Sequence, residues 1–288
     1  MKEEMDERPE GKQSKNERIE SFLREHYDFR FNTVKSRTEF RCSNKDEPFY
    51  PLGKFDINSM RRLLDSSQGI STSAENIRAI LESDFCPRIN PVQEYFQKLS
   101  KWNEGEDSEI IHLASCVTVR NPEKWQTYLT KWLIAVVANA MDDLFCRNHT
   151  CLVLTGEQGK FKTTFLDLLC PVELKAYLFT GTIDPQNKNT QTLIAEYLFI
   201  NIDDQLKALN KRDENELKNL ITTPRVKYRR PYDTYIEEYP HLASFMASVN
   251  GNDFLTDPTG SRRFLPFEVE HIDIDAVRCQ TKVHNWGL

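Results

Sequence analysis

The stretch Cys151 to Thr164, CLVLTGEQGKFKTT, limits the fold more than any other part of the chain. Cys151 to Leu154 is mostly apolar and has the character of a short buried strand. A polar turn follows, and from Thr163 to Leu169 apolar residues recur at helical spacing. Strand, turn and helix in that order are what a phosphate-binding loop needs: backbone N–H groups of the turn and the positive end of the helix then point to one spot where a polyphosphate can sit. In that arrangement Lys162 reaches the β and γ phosphates of ATP and the Thr163 hydroxyl holds Mg²⁺. Gly156, Gln158, Gly159, Lys160 and Thr164 complete the nucleotide-binding set. The pattern G-x-x-x-x-G-K-S/T is incomplete, because Phe161 stands where the second glycine belongs and its Cβ threatens the tight turn. Gly159 supplies one further position free to take positive φ. The competing reading is a plain polar turn between a strand and a helix.

Two more segments extend the pattern. Tyr197 to Ile202, YLFINI, has strand length and ends in Asp203-Asp204. A buried parallel strand that delivers carboxylates at its C-terminal edge sets Asp203 to bind the metal and Asp204 to polarise an attacking water. Leu242 to Val249 is another strand, ending in Asn250-Gly251, where Asn250 can orient that water. The turn Asp257-Pro258-Thr259-Gly260 then precedes Arg262-Arg263, a pair that can reach a phosphate on a neighbouring subunit. Read plainly, these are an acidic turn, a turn dipeptide and a solvated surface pair.

Taken in order, GEQGKFKTT, FINIDD and SVNGNDFLTDPTGSRRFLPFEV resemble the virulence-associated protein E family. The ATPase core of that family is similar to superfamily three helicases and poxvirus-type primase-helicases. The resemblance runs from about Glu17 to Val269 and includes the upstream text SDFCPRINPVQEYF and the helix of Trp125 and Trp132. It implies a P-loop NTPase fold of AAA+-like type. Lys162 and Thr163 match the family's first nucleotide motif, Asp203 and Asp204 the second, Asn250 the sensor, and Arg262 or Arg263 the arginine finger. It further implies ATP and Mg²⁺ as ligands, a hexamer-type ring, single-stranded or forked DNA as substrate, a primase partner, and more chain beyond the present C-terminus.

Composition narrows the alternatives. A net charge of −6 leaves no whole-molecule electrostatic footprint for nucleic acid, so any such contact must be a local patch. The one concentrated basic stretch is Arg225, Lys227, Arg229 and Arg230, with Tyr228, Tyr232 and Tyr235 interleaved. In the helicases that the chain resembles, a hairpin at this place contacts single strands, through phosphates on the basic groups and bases on a tyrosine. A solvated basic loop is the alternative. The seven cysteines are scattered, form no C-x-x-C pair and lie apart from the six histidines, as in a cytoplasmic protein with reduced thiols. No apolar run is long enough to span a membrane.

The remaining elements follow from periodicity. Residues 1–16 are almost wholly polar and read as a disordered tail. Residues 17–115 form a mostly helical accessory region: a helix from Glu17, a hairpin over Phe29 to Arg41, and helices at Asp56–Leu64 and Ala74–Leu81, the last opened by a Thr72/Glu75 capping box. The ATPase core spans residues 116–271, and 272–288 is a tail. Within the core, Asn121-Pro122 opens the clearest helix, its apolar face running from Trp125 to Phe145. The Trp and Tyr stripe on it is read as core packing. Strands alternating with helices specify an α/β parallel sheet flanked by helices, with the ligand at the C-terminal strand edge.

Overall fold

The computed structural model describes residues 13–100, 109–230, 234–251 and 262–282. The Glu104 to Asp107 run, most of the polar N-terminal stretch, the Asp257–Gly260 turn and Tyr232 lie outside the described residues. The chain forms two compact units that divide between Pro91 and Val92, rather than at residue 115.

The first unit opens with α1 (Lys15–His26), capped by Ser14 in a reciprocal box with Glu17. A hairpin of β1 (Tyr27–Asn32) and β2 (Arg37–Cys42) follows, turning through the polar residues between Asn32 and Arg37. With β3 (Tyr50–Pro51) and β4 (Arg88–Ile89) they make a sheet in the order β3-β2-β1-β4. Helices α2 (Lys54–Gln68) and α3 (Ala74–Leu81) complete the unit. Ile19, Leu23, Ile57, Leu64 and Ile77 form its core with Phe29. The cap of α3 is Ser73, whose hydroxyl accepts from the Asn76 N–H, and Thr72 instead takes the Asn76 side-chain amide. On the polar side of the hairpin, buried Glu39 accepts from Arg30, Asn32 and Arg37, which satisfies a carboxylate that burial would otherwise penalise.

The second unit is built on a six-stranded sheet. Its elements run α4 (Pro91–Lys98), α5 (Glu109–Ser115), β5 (Val117–Val119), α6 (Pro122–Ala140), β6 (Cys151–Gly156), α7 (Lys162–Leu168), β7 (Leu178–Gly181), α8 (Lys188–Glu196), β8 (Phe199–Asp203), α9 (Lys211–Thr222), β9 (Arg225–Tyr228), β10 (Glu237–Pro240), β11 (Ser244–Asn250), β12 (Phe264–Ile272) and α10 (Ile274–Lys282). The strand order is β5-β12-β6-β11-β8-β7, parallel throughout except for edge strand β5, while β9 and β10 pair separately. The chain leaves β6, crosses to the β7 edge, returns through β8 and β11, and reaches β12 on the other side of β6. The reversal places a crevice at the C-terminal end of β6, where open α/β sheets bind ligands.

Both faces are covered, as near-continuous apolar strands require. On one side Val153, Ile200, Ile202, Phe245, Ala247 and Val249 pack with residues of α8, α9 and β9. On the other, Trp125 lies 5.0 Å from Phe267 and Trp132 lies 6.0 Å from Phe199, ring centre to ring centre. Their indole N–H groups donate to the Ala114 and Thr150 carbonyls, so both ends of each ring are satisfied. Helix α6 stops at Ala140, short of the expected apolar face. The Asp142 carboxylate accepts the Leu144 and Phe145 N–H groups, turning the chain and leaving those two side chains exposed.

The entry to β11 is pinned from α6. Buried Asn139 donates through its amide nitrogen to the carbonyls of His241, Leu242 and Ala243, and its oxygen accepts the Arg147 N–H. His241 is itself buried, with its ring nitrogens 2.6 Å from the Thr223 carbonyl and 2.8 Å from that of Ala243. Burial pushes its pKa below the ordinary 6.5, against the two carbonyls, which pull upward. A folded-state value below the unfolded one means that the unfolded chain takes up a proton that the fold refuses, so this contribution to stability is present above pH 6.5 and lost as pH falls. Urea unfolding between pH 7.5 and 5.5 should therefore show a steeper loss for the wild type than for His241→Gln; equal slopes would contradict this.

Candidate functional site

The pocket at the C-terminal sheet edge is lined by Gln158 to Thr164, Asp203, Asp204, Ser248 and Asn250, and encloses about 390 Å³. Every nucleotide and metal residue read from the sequence except Gly156 thus lines one cavity, and Gly156 is the last residue of β6.

Register explains the convergence. In the parallel pairing of β11 with β6, Asn250 stands beside Gly156, and in that of β11 with β8, Ser248 stands beside Asp203. Side chains two apart on a strand share a face, so Ser248 and Asn250 lie with Asn201 and Asp203 on the face that α7 covers. Asn201 bonds the Asp167 carboxylate of α7 at 2.8 Å and the Thr163 carbonyl at 3.4 Å, and Thr180 bonds the same carboxylate at 2.6 Å. These bonds fix α7 over β8.

The loop itself is held by unusual backbone. Gly156 has φ +131°, and a Cβ there would stand 2.7 Å from the Val269 carbonyl oxygen of β12. Gly159 has φ +82° and open space around it. Phe161 takes φ 57° and ψ 21° at the start of α7, with its ring half exposed. The clash expected for a Cβ in the turn is thus avoided by placing the residue in the left-handed region, at a cost of about 1–2 kcal/mol for a non-glycine residue. Helix α7 has only seven residues, and the cationic side chains that line the pocket are Lys160 and Lys162.

That lysine is buried and folded back on the loop. Its ammonium donates to the carbonyls of Gly156 at 3.0 Å and Glu157 at 2.6 Å, and to Asn250 Oδ1 at 3.2 Å. Burial lowers its pKa, while Asp204 and Asp203 pull it back up. Asp204 also sits in the left-handed region, φ 47°. Its two carboxylate oxygens accept the Asn250 backbone N–H at 3.1 Å and side-chain amide at 2.9 Å, and its own N–H donates to the Ser248 carbonyl. Asn250 therefore links the lysine to Asp204. The Thr163 hydroxyl bonds Asp203 Oδ1 at 2.8 Å, and the Ser248 hydroxyl bonds the same oxygen at 2.8 Å. Hydroxyl and exposed carboxylate oxygens are hard donors of the kind that Mg²⁺ takes, so the residues fit that ion. Lys160 lies on the rim, 3.7 Å from the Glu157 carboxylate.

The remaining candidates stand apart from the pocket. Phe264, next after Arg262-Arg263, pairs with Cys151 at the opposite end of β6. Five residues of strand, about 17 Å, therefore separate the two arginines from Gly156 within one chain. The basic stretch becomes the β9–β10 hairpin, where two of its cations share one carboxylate. Arg225 and Lys227 face Glu238 at 3.2 and 3.7 Å. Arg230 differs from the expected surface contact: it is 8% exposed, stacks 4.1 Å over Tyr239 and lies 4.0 Å from Glu196. Arg229 is exposed, as are Tyr235 and Ile236 near the tip.

Comparison with known proteins decides the family. The model of the virulence-associated protein E-like domain matches residues 96–285. The chain belongs to this family. Among solved structures it is similar to the apo NrS-1 C-terminal region (305–718), with TM-score 0.56 and 11% identity over 94% of this chain and 67% of that one. The A form apo structure of that region gives TM-score 0.55 and 13% identity over 92% of this chain and 65% of that one. At such identities the likeness is one of fold, and the chain spans about two thirds of those proteins. The comparison with curated proteins found no match. Ser248, Asn201 and Asp167 are the site residues that motif reading missed; Ser248 sits at the polar end of SFMASVN, two residues before Asn250 and therefore on its face.

Two glycine-related substitutions separate constraint from strain. Gly156→Ala should lower stability by at least about 2 kcal/mol, because the obstacle is β12 backbone. Phe161→Gly should leave stability unchanged or raise it by up to about 1 kcal/mol, the relief of strain offsetting the added freedom of the unfolded chain. Chemical unfolding of both variants checks the pair.

Proposed function

We propose that this family member is a Mg²⁺-dependent ATPase of the superfamily three helicase type, acting on single-stranded or forked DNA in phage or mobile-element replication. The observation that carries the reading is the meeting of the Lys162 ammonium, the Thr163–Asp203 pair and the Asn250–Asp204 pair in one pocket at the C-terminal edge of a parallel sheet. The reaction is in-line attack of water on the γ phosphate, with ADP leaving.

Lys162 is already a desolvated cation whose partners are two carbonyls and an amide oxygen, and a triphosphate offers it better acceptors. Turning toward the phosphates releases Asn250 Oδ1, which becomes free to accept from the attacking water. Asp204, held by Asn250, orients that water and takes its proton. Thr163 and Asp203 would hold Mg²⁺, which supplies neutralisation of charge on the phosphate oxygens. Because Arg262 and Arg263 stand at the far edge of the sheet, an arginine finger must come from a neighbouring subunit, and a hexamer-type ring is the assembly that supplies one to each site. A primase partner and more chain beyond this segment belong to the same reading.

A second reading is a nucleotide-dependent regulatory or DNA-binding module without efficient turnover. Phe161 in the left-handed region favours it, since the aromatic ring stands where the motif has only hydrogen. Phosphate release measured against protein concentration distinguishes the two. The wild-type rate per subunit should rise with concentration. Lys162→Ala should abolish it, and one of Arg262→Ala and Arg263→Ala should lower it about a thousandfold. Rates that are equal in all four proteins and independent of concentration would overturn the ATPase reading, and tight ATP binding without release would establish the second.

A further inference from the structure

Ser248 is a hydroxyl near the C-terminal end of β11, 3% exposed, and the reaction outlined above does not use it. Its oxygen lies 2.8 Å from Asp203 Oδ1 and 2.9 Å from Thr163 Oγ1, and the Thr163 oxygen lies 2.8 Å from the same Asp203 oxygen. Three oxygens thus approach one another pairwise within hydrogen-bond distance. Two hydroxyls bring only two protons to these three edges, so one edge always holds facing lone pairs. The three oxygens carry a formal negative charge that only the Asp203 carboxylate supplies, and Asp203 opens the triangle to solvent at an exposed corner.

We propose that Ser248 is a positioning residue for the divalent cation, resting on the nucleotide reading of the pocket. Its proton goes to Asp203 Oδ1, which fixes the carboxylate rotamer and leaves Oδ2 turned outward. Its lone pair receives the Thr163 proton, so that the Thr163 lone pair faces the cation. Its backbone carbonyl accepts the Asp204 N–H at 3.0 Å, so the same residue also anchors the backbone at Asp204, whose carboxylate Asn250 holds. Cross-strand register makes this specific: Ser248 is the direct neighbour of Asp203, and no other β11 side chain stands there. Outer groups that orient metal ligands in this way typically carry ten- to a hundredfold in metal affinity.

The test is calorimetric titration of a non-hydrolysable ATP analogue into wild type, Ser248→Ala, Ser248→Thr and Asp203→Asn, over a series of Mg²⁺ concentrations and in EDTA. The Mg²⁺ concentration for half-maximal enhancement of binding should rise about tenfold in Ser248→Ala and stay near wild type in Ser248→Thr, which keeps the hydroxyl. Affinity in EDTA should be the same in Ser248→Ala as in wild type. An unchanged Mg²⁺ requirement in Ser248→Ala overturns the proposal while leaving the nucleotide reading intact, provided Asp203→Asn shows a shift. Equal weakening with and without Mg²⁺ overturns it in favour of a structural role. Absence of any Mg²⁺-dependent binding by the wild type removes both the proposal and the reading beneath it.

Discussion

The parallel register of β11 between β6 and β8 governs where the strand-borne polar groups of the pocket end up. Asn250 beside Gly156 and Ser248 beside Asp203 are consequences of the backbone ladder, and period-two alternation then turns all the polar groups to the α7 face. A slip of one residue would turn Ser248 and Asn250 into the apolar layer under α8 and α9 and bring Val249 to the pocket. The apolar runs of the three strands, packed on both faces, make such a slip very costly. Core burial and site geometry are therefore one constraint expressed twice.

Within that frame the pocket stores its polar groups against one another. Lys162 satisfies loop carbonyls and Asn250, Asn250 holds Asp204, and the two hydroxyls share Asp203. Each bond made in the ligand-free chain is one that phosphate or cation must replace, and charge-assisted bonds to anionic oxygens are about twice as strong as neutral ones. The two non-glycine residues in the left-handed region that border the pocket, Phe161 and Asp204, lie where these replacements happen. Strain retained at such places accompanies function more often than chance.

Much of this was legible in the sequence, for identifiable reasons. The strand–loop–helix of 151–168 and the carboxylates at the end of β8 were readable because apolar runs bounded by polar turns are local signals. The helix of Trp125 was readable at its start, where Asn121 and Pro122 act within one turn, and not at its end, where the Asp142 side chain overrides continuing apolar periodicity. Short elements such as β5, α5 and α10 escaped because their existence rests on packing against α6, α7 and β12. Ser248 escaped because its importance comes from its neighbour on β8, which no window along the chain contains. The burial of Arg230 was not legible because charge counting cannot see Tyr239 and Glu196 beside it.

The account stands on the claim that residues 156–164 enclose a triphosphate opposite Asp203 and Asn250. Hydrogen exchange followed by mass spectrometry, with and without ATP and Mg²⁺, tests it at the backbone itself. The account predicts slowed exchange at 157–164, 203–205 and 248–251, with the first unit unchanged. Exchange unaltered in all three segments, or slowed only elsewhere, would contradict it.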